Sequence, residues 1–225
     1  YTQLTTEADG LKVKTSSPSP YEGSAYVYFD NSYAGGFTTP SYFVYQTEIK
    51  YLDFFYYDNR STNSFNILVS GEDWYNYGNG YYGFYSQQLN VGSDGSIIIN
   101  GSYSYYNPDT GDSGGFAGNQ GTSPSGAIPT SAWCRIRVRV NTNYLGPVEV
   151  YKGSNILGST PDVTVAGSSA TYPTSDAASY PNYLRFGSQP VTGRVAAIDD
   201  LYISNITWPT REASGPIAYG PSIRR

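Results

Sequence analysis

Seven residues, Cys134 to Val140, read CRIRVRV and leave little room for anything but a β-strand. Ile136, Val138 and Val140 stand at alternate positions, with Arg135, Arg137 and Arg139 between them. Side chains along a strand point to opposite faces in turn, so one face receives the β-branched residues and the other the guanidiniums. The same period recurs at Val148–Lys152, where Val148 and Val150 alternate with Glu149 and Tyr151. Between such segments no run shows the three-to-four spacing of an amphipathic helix.

Further strands are expected at 26–30, 42–57, 65–70, 81–91, 156–158, 162–166, 183–187 and 195–204. In 42–57 the odd positions carry Phe43, Tyr45, Ile49 and Tyr51, and the even positions Gln46, Glu48 and Lys50, which predicts one wet face. Ser93-Asp94-Gly95 separates QQLNV from SIIIN and predicts a hairpin. Gly146-Pro147 marks a turn, and residues 107–130, rich in Gly, Ser and Pro without periodicity, read as a long loop. Many closely spaced strands with no intervening helix imply an all-β, antiparallel two-sheet sandwich. At 225 residues one such domain accounts for the chain. Its expected layout is a lead-in segment or edge strand over 1–24, the sandwich over 25–208 and a C-terminal extension over 209–225.

Charged residues make up 14% of the chain and the net charge is −5. No basic footprint for nucleic acid and no polybasic cluster for a membrane surface is present, so neither is expected as a partner. The apolar runs are too short for a membrane helix or a signal-peptide core. Methionine is absent and Tyr1 is too bulky to follow a routinely trimmed initiator, which implies a piece of a longer chain. Cys134 is the lone cysteine, so no intrachain disulfide forms, and it reads as a small buried hydrophobe. Tyrosine is the outlier, with 25 residues beside 25 Gly and 14 Pro, a profile of strands and turns.

Several short motifs suggest chemistry and then fail a requirement of it. Gly111–Gly115 spells GDSGG, the signature around a serine-protease nucleophile, but the chain has no histidine to take a proton from Ser113. Asp109-Thr110-Gly111 matches the aspartic-protease triplet, which needs a second carboxylate. The Glu residues Glu7, Glu22, Glu48, Glu72, Glu149 and Glu212 offer no glycosidase pair, since Glu48 and Asp53 fall on opposite faces of one strand. Without histidine, zinc and copper are not expected; Asn107, Asp109 and Asp112 share one loop that offers calcium oxygen ligands. No cofactor is expected, and the chain is read as non-enzymatic.

The segment WYNYGNGYYGFY, from Trp74 to Tyr85, has the strongest claim to binding. Trp74, Tyr75, Tyr77, Tyr81, Tyr82 and Tyr85 offer flat apolar faces, and the interleaved Asn offers amides, as a sugar site requires. The same rings would equally suit a sandwich core or a contact with another subunit.

Residues Tyr183–Ser204, YLRFGSQPVTGRVAAIDDLYIS, set a short run ending at Gly187 before a longer one that closes on Asp199 and Asp200. Strict alternation places Asp199 in phase with Leu201 and Ile203, pointing to the core, where a carboxylate needs donors around it. This arrangement resembles the last core strand of the concanavalin A-like (laminin G-like) jelly roll, in particular the version in tailed-bacteriophage structural proteins, with Gly215-Pro216 or Gly220-Pro221 following. WCRIRVRVNTN–GPVEVYKGSNIL resembles that fold's hairpin. The resemblance implies a jelly-roll module on a virion exterior, as capsid decoration or tail or fibre component. It implies other virion proteins as partners, a homo-oligomer, host-surface glycan as a ligand, and Asp199 as a structural carboxylate. The alternatives are an extracellular carbohydrate-binding module of a secreted bacterial protein and a glycoside hydrolase.

Overall fold

A computed structural model describes residues 11–16, 18–29, 37–38, 49–60, 65–70, 75–76, 82–140, 144–169, 184–187 and 194–211. Among them, fifteen strands run in chain order: β1 (Leu11–Lys14), β2 (Tyr26–Phe29), β3 (Phe37–Thr38), β4 (Lys50–Asp58), β5 (Phe65–Ser70), β6 (Tyr75–Asn76), β7 (Tyr82–Val91), β8 (Ile97–Tyr106), β9 (Ser113–Thr122), β10 (Trp133–Val140), β11 (Tyr144–Lys152), β12 (Val163–Val165), β13 (Ser168–Ser169), β14 (Leu184–Phe186) and β15 (Ala196–Ser204). One sheet has the order β1-β2-β15-β4-β10-β11-β12, with β13 also on β11; the other has the order β3-β14-β5-β7-β8-β9, with β6 on β7. Every pairing is antiparallel. The result is an all-β jelly-roll sandwich, the expected fold class.

Alternation explains how the two layers adhere. Leu52, Phe54 and Tyr56 of β4 face inward beside Ile136, Val138 and Val140 of β10 and Val148 and Val150 of β11. Against them lie Phe65 and Leu68, Leu89 and Val91, Ile97 and Ile99, and Leu184 and Phe186 from the facing sheet, nearly all without solvent exposure. Each such side chain contributes about 1.5–3 kcal/mol on burial. A second, smaller apolar layer of Tyr26, Tyr28 and Ala197 lies on the outer side of the first sheet, with Tyr57 and Trp133 against it.

The hairpin at Ser93–Gly95 joins β7 to β8, closed by the Gly92 N–H to Ser96 O bond of 2.8 Å, with Gly95 at φ 79°. Four expectations are corrected. Residues 107–130 are not one loop, because Ser113–Thr122 pairs along β8 as β9. Gly and Asn in that strand hide its period, since there is little apolar side chain to alternate. Gly146-Pro147 is no turn; it lies inside β11, where the backbone of Gly167 comes so near that a Cβ on Gly146 would sit 2.4 Å from its Cα. Residues 156–158 form no strand, and a short 3₁₀ turn precedes them at Gly153–Asn155.

The fourth correction concerns 42–57, of which 42–48 lie outside the described residues. Within β4 the core face is the even one, and Lys50 is buried with Nζ donating to Asn205 Oδ1 at 2.7 Å. The odd positions face outward yet stay covered, because Tyr21 stacks on Phe55 at 3.7 Å and Tyr57 packs on Trp133.

Candidate functional site

Strands β7, β8 and β9 contain no charged residue. Since Leu89, Val91, Ile97 and Ile99 take the core side, the intervening positions form the outer face in rows across the three strands. Gln88, Asn100 and Asn119 make one row, Ser102 and the fully buried Ser86 the next, then Ser104 with Gly115, then Tyr106 with Ser113. The face is therefore roughly 10 Å across three strands and roughly 20 Å along them. Ser86 Oγ and Ser102 Oγ are hydrogen-bonded at 3.0 Å, and Gln88 Nε2 donates to Ser86 Oγ at 3.1 Å. Asn119 is exposed, with Nδ2 donating to Thr122 Oγ1 at 2.6 Å. Tyr106 is 46% exposed, against the burial usual for a large ring in a strand.

Of the aromatic residues singled out from the sequence, Trp74, Tyr77 and Tyr81 lie outside the described residues. Tyr75 is on β6, opposite Gly83; Tyr82 and Tyr85 are on β7, opposite Tyr106 and Tyr103 of β8. The neighbouring Asn100, Ser102, Tyr106 and Asn119 escaped sequence reasoning. Three ten-residue strands, each without a charged residue, were the signal available.

The turn at 107–112 uses its own oxygens. Asn107 Oδ1 accepts the N–H groups of Asp109 at 2.9 Å and Thr110 at 3.3 Å, and Asn107 N–H donates to Asp112 O at 2.7 Å. The side-chain oxygen that calcium would need from Asn107 is thereby committed. No cluster of three or more His, Cys, Asp or Glu able to hold a metal occurs among the described residues. Ser113 is exposed at the start of β9. Cys134 is fully buried, its thiol facing Tyr56 O at 3.5 Å, and burial pushes its pKa up, away from reactivity.

Asp199 is 6% exposed, but it does not point to the inter-sheet core with Leu201 and Ile203. A bulge shifts the register between Asp199, opposite Phe55, and Tyr202, opposite Asp53, with Asp200 at φ 44°. One extra residue reverses the alternation, so Ile203 faces Leu52 and the core while Asp199 lies on the outer side with Phe55. There Asp199 Oδ2 accepts the Tyr21 N–H at 2.8 Å and the Glu22 N–H at 3.0 Å, and Oδ1 the Asp200 N–H at 2.9 Å. Burial raises its pKa, and those backbone donors oppose the rise. Its role in the geometry is to hold the segment before β2 onto the sheet. Asp200 pairs with Arg211.

A denser electrostatic feature lies on the same outer side. Asp53, with no exposure, accepts Arg135 Nη2 at 2.7 Å and Arg137 Nε at 2.8 Å on Oδ2, and Arg211 Nε at 2.9 Å on Oδ1. The arginines of CRIRVRV therefore do not simply meet water. Residues 207–211 fold back over them, with Trp208 Nε1 donating to Leu52 O at 3.1 Å and Arg137 Nη2 to Pro209 O at 3.0 Å.

No family model and no curated protein matches the sequence. Among solved structures the chain is similar to the cellulose-induced protein Cip1, at 14% identity over 88% of this chain and 86% of that one, with a TM-score of 0.46. It is also similar to the botulinum neurotoxin serotype G binding domain (11% identity, 89% of this chain and 44% of that one, TM-score 0.38). A GH43 protein from Bacillus licheniformis shares 8% identity over 79% of this chain and 32% of its own, with a TM-score of 0.45. None of these likenesses assigns a role to a residue of this chain.

Proposed function

We propose that this sandwich is a non-catalytic carbohydrate-recognition module that binds a neutral glycan along the outer face of β7, β8 and β9. The observation that carries this reading is the uncharged face itself, in which rows of amide and hydroxyl groups end at the exposed ring of Tyr106. Sugar hydroxyls need donors and acceptors of that kind, and a sugar's apolar face stacks on such a ring. Absence of fixed charge favours a neutral chain, and a length of roughly 20 Å suits several linked sugars. The non-catalytic part draws on the lack of histidine and on Asp53 and Asp58, both fully buried in arginine pairs and so out of a substrate's reach.

The virion setting, virion partners and homo-oligomeric state rest on the closing-strand resemblance alone. On a particle surface the same face would meet host glycans, where many weak contacts add up. Titrating the protein with soluble neutral polysaccharides such as xylan and β-glucan by calorimetry tests the binding reading. At least one is expected to bind, with affinity reduced about tenfold or more in Tyr106→Ala and in Asn100→Ala at unchanged Tm, since a lost ring or amide contact is worth about 1–2 kcal/mol. Binding that survives both substitutions would sink it.

A further inference from the structure

On the opposite sheet, residues 207–211 and the turn after β11 flank an open cavity of about 300 Å³. Its lining includes Arg135, Arg137, Arg211, Ser159, Thr207 and Trp208, and no carboxylate. The counter-charges stand behind or beside the wall. Asp53 lies beneath the three guanidiniums, Asp200 pairs with Arg211 outside the lining, Asp199 also feels the charge of Arg211, and Glu149 is reached only through Tyr151 OH, at 2.7 Å. Arg135 is 1% exposed and spends Nε and Nη2 on Asp53, while its Nη1 donates to no group among the described residues. Arg137 Nη1 has only a 3.4 Å contact with Tyr151 OH. The cavity thus presents guanidinium donors, already oriented by a buried carboxylate, next to hydroxyls and an indole.

We infer that this cavity binds an oxyanion carried on a sugar, the carboxylate of an acidic monosaccharide such as a uronic acid. A guanidinium matches the planar two-oxygen geometry of a carboxylate, and prior orientation by Asp53 lowers the entropy lost on binding. Ser159 and Thr207 supply hydroxyl partners for ring hydroxyls, and Trp208 gives the pocket an apolar wall. The volume holds one sugar residue and is at the small end of ligand pockets. The site is separate from the neutral face on β7–β9 and does not depend on it.

Isothermal titration of the whole chain with glucuronate, glucose and inorganic phosphate tests this. Glucuronate is expected to bind at least about tenfold more tightly than either of the others, and to weaken several-fold as salt is raised from about 0.05 to about 0.5 M, as screening requires. Ser159→Trp, at an exposed position on the cavity wall, fills the space and is expected to abolish glucuronate binding at unchanged Tm. Glucose binding as tightly as glucuronate would remove the anion from the account, and phosphate doing so would remove the sugar. Undiminished glucuronate binding by Ser159→Trp overturns the assignment to this cavity.

Discussion

Strand β4 carries two fully buried carboxylates, Asp53 and Asp58, and the protein treats them in opposite ways. Asp58 is on the core-facing phase and meets one guanidinium, that of Arg194, which also donates to Val91 O at 3.2 Å. Its remaining lone pairs take the Arg60 N–H at 2.7 Å and the Tyr56 hydroxyl at 3.1 Å. Charge is matched one to one, both partners have no exposure, and nothing is left over to greet a ligand. Asp53 is on the outer phase and meets three guanidiniums, all of which line an open cavity, Arg135 and Arg137 with donor capacity to spare. The difference teaches that a buried ion pair with exact balance is a pin, whereas one with surplus cation at an open wall is a pre-oriented site.

The largest effect is expected at Asp58. Asp58→Asn leaves Arg194 charged in the sandwich interior, and breaking a buried pair in this way costs about 3–5 kcal/mol. For a chain of this size that lowers Tm by roughly 6–20 °C in a thermal melt. A loss below about 1 kcal/mol would mean that Arg194 reaches water and that the pair is no pin.

Asp53→Asn is expected to cost less, about 2–3 kcal/mol, because Arg211 keeps Asp200 and the other two line an open cavity. Added phosphate sharpens the comparison. It should restore part of the lost Tm in Asp53→Asn by binding the uncovered guanidiniums, and restore nothing in Asp58→Asn. Equal rescue of the two variants would erase the distinction between pin and site.

Neither carboxylate was legible in the sequence, and the reason is distance along the chain. Arg135, Arg137 and Arg211 stand 82, 84 and 158 positions from Asp53, so no local pattern connects them. Alternation in CRIRVRV gave the two faces of β10 correctly, but a period says which face a residue takes and not what covers that face. The bulge at Asp200 shows the same limit, since one residue with positive φ inverted the phase assigned to Asp199. What alternation and turn chemistry did reveal was the sandwich itself: β10, the Ser93–Gly95 hairpin and the closing strand all carry apolar side chains at period two or a turn triplet. Strand β9 was missed because its Gly, Asn and Gln residues carry no such period, and the polar face of the proposed glycan site went with it.

The smallest effect concerns the phenol beside the pin. Tyr56 is fully buried, and burial first, then the charge of Asp58, hold its pKa well above the ordinary 10.0. Burial likewise raises the Cys134 thiol above its ordinary 9.0. Both groups are neutral in the fold and ionise more readily once unfolded, so their contribution is complete below pH 9 and is lost as pH rises past 9 and then 10. Tyr56→Phe removes one hydrogen bond to a carboxylate that keeps Arg194 and the Arg60 N–H, a loss of about 1–2 kcal/mol at neutral pH. In urea melts the parent is expected to lose stability more steeply than Tyr56→Phe between about pH 10 and 11, so that the gap between them narrows. Parallel slopes in that window would show that Tyr56 titrates normally and that the space around Asp58 is open to solvent after all.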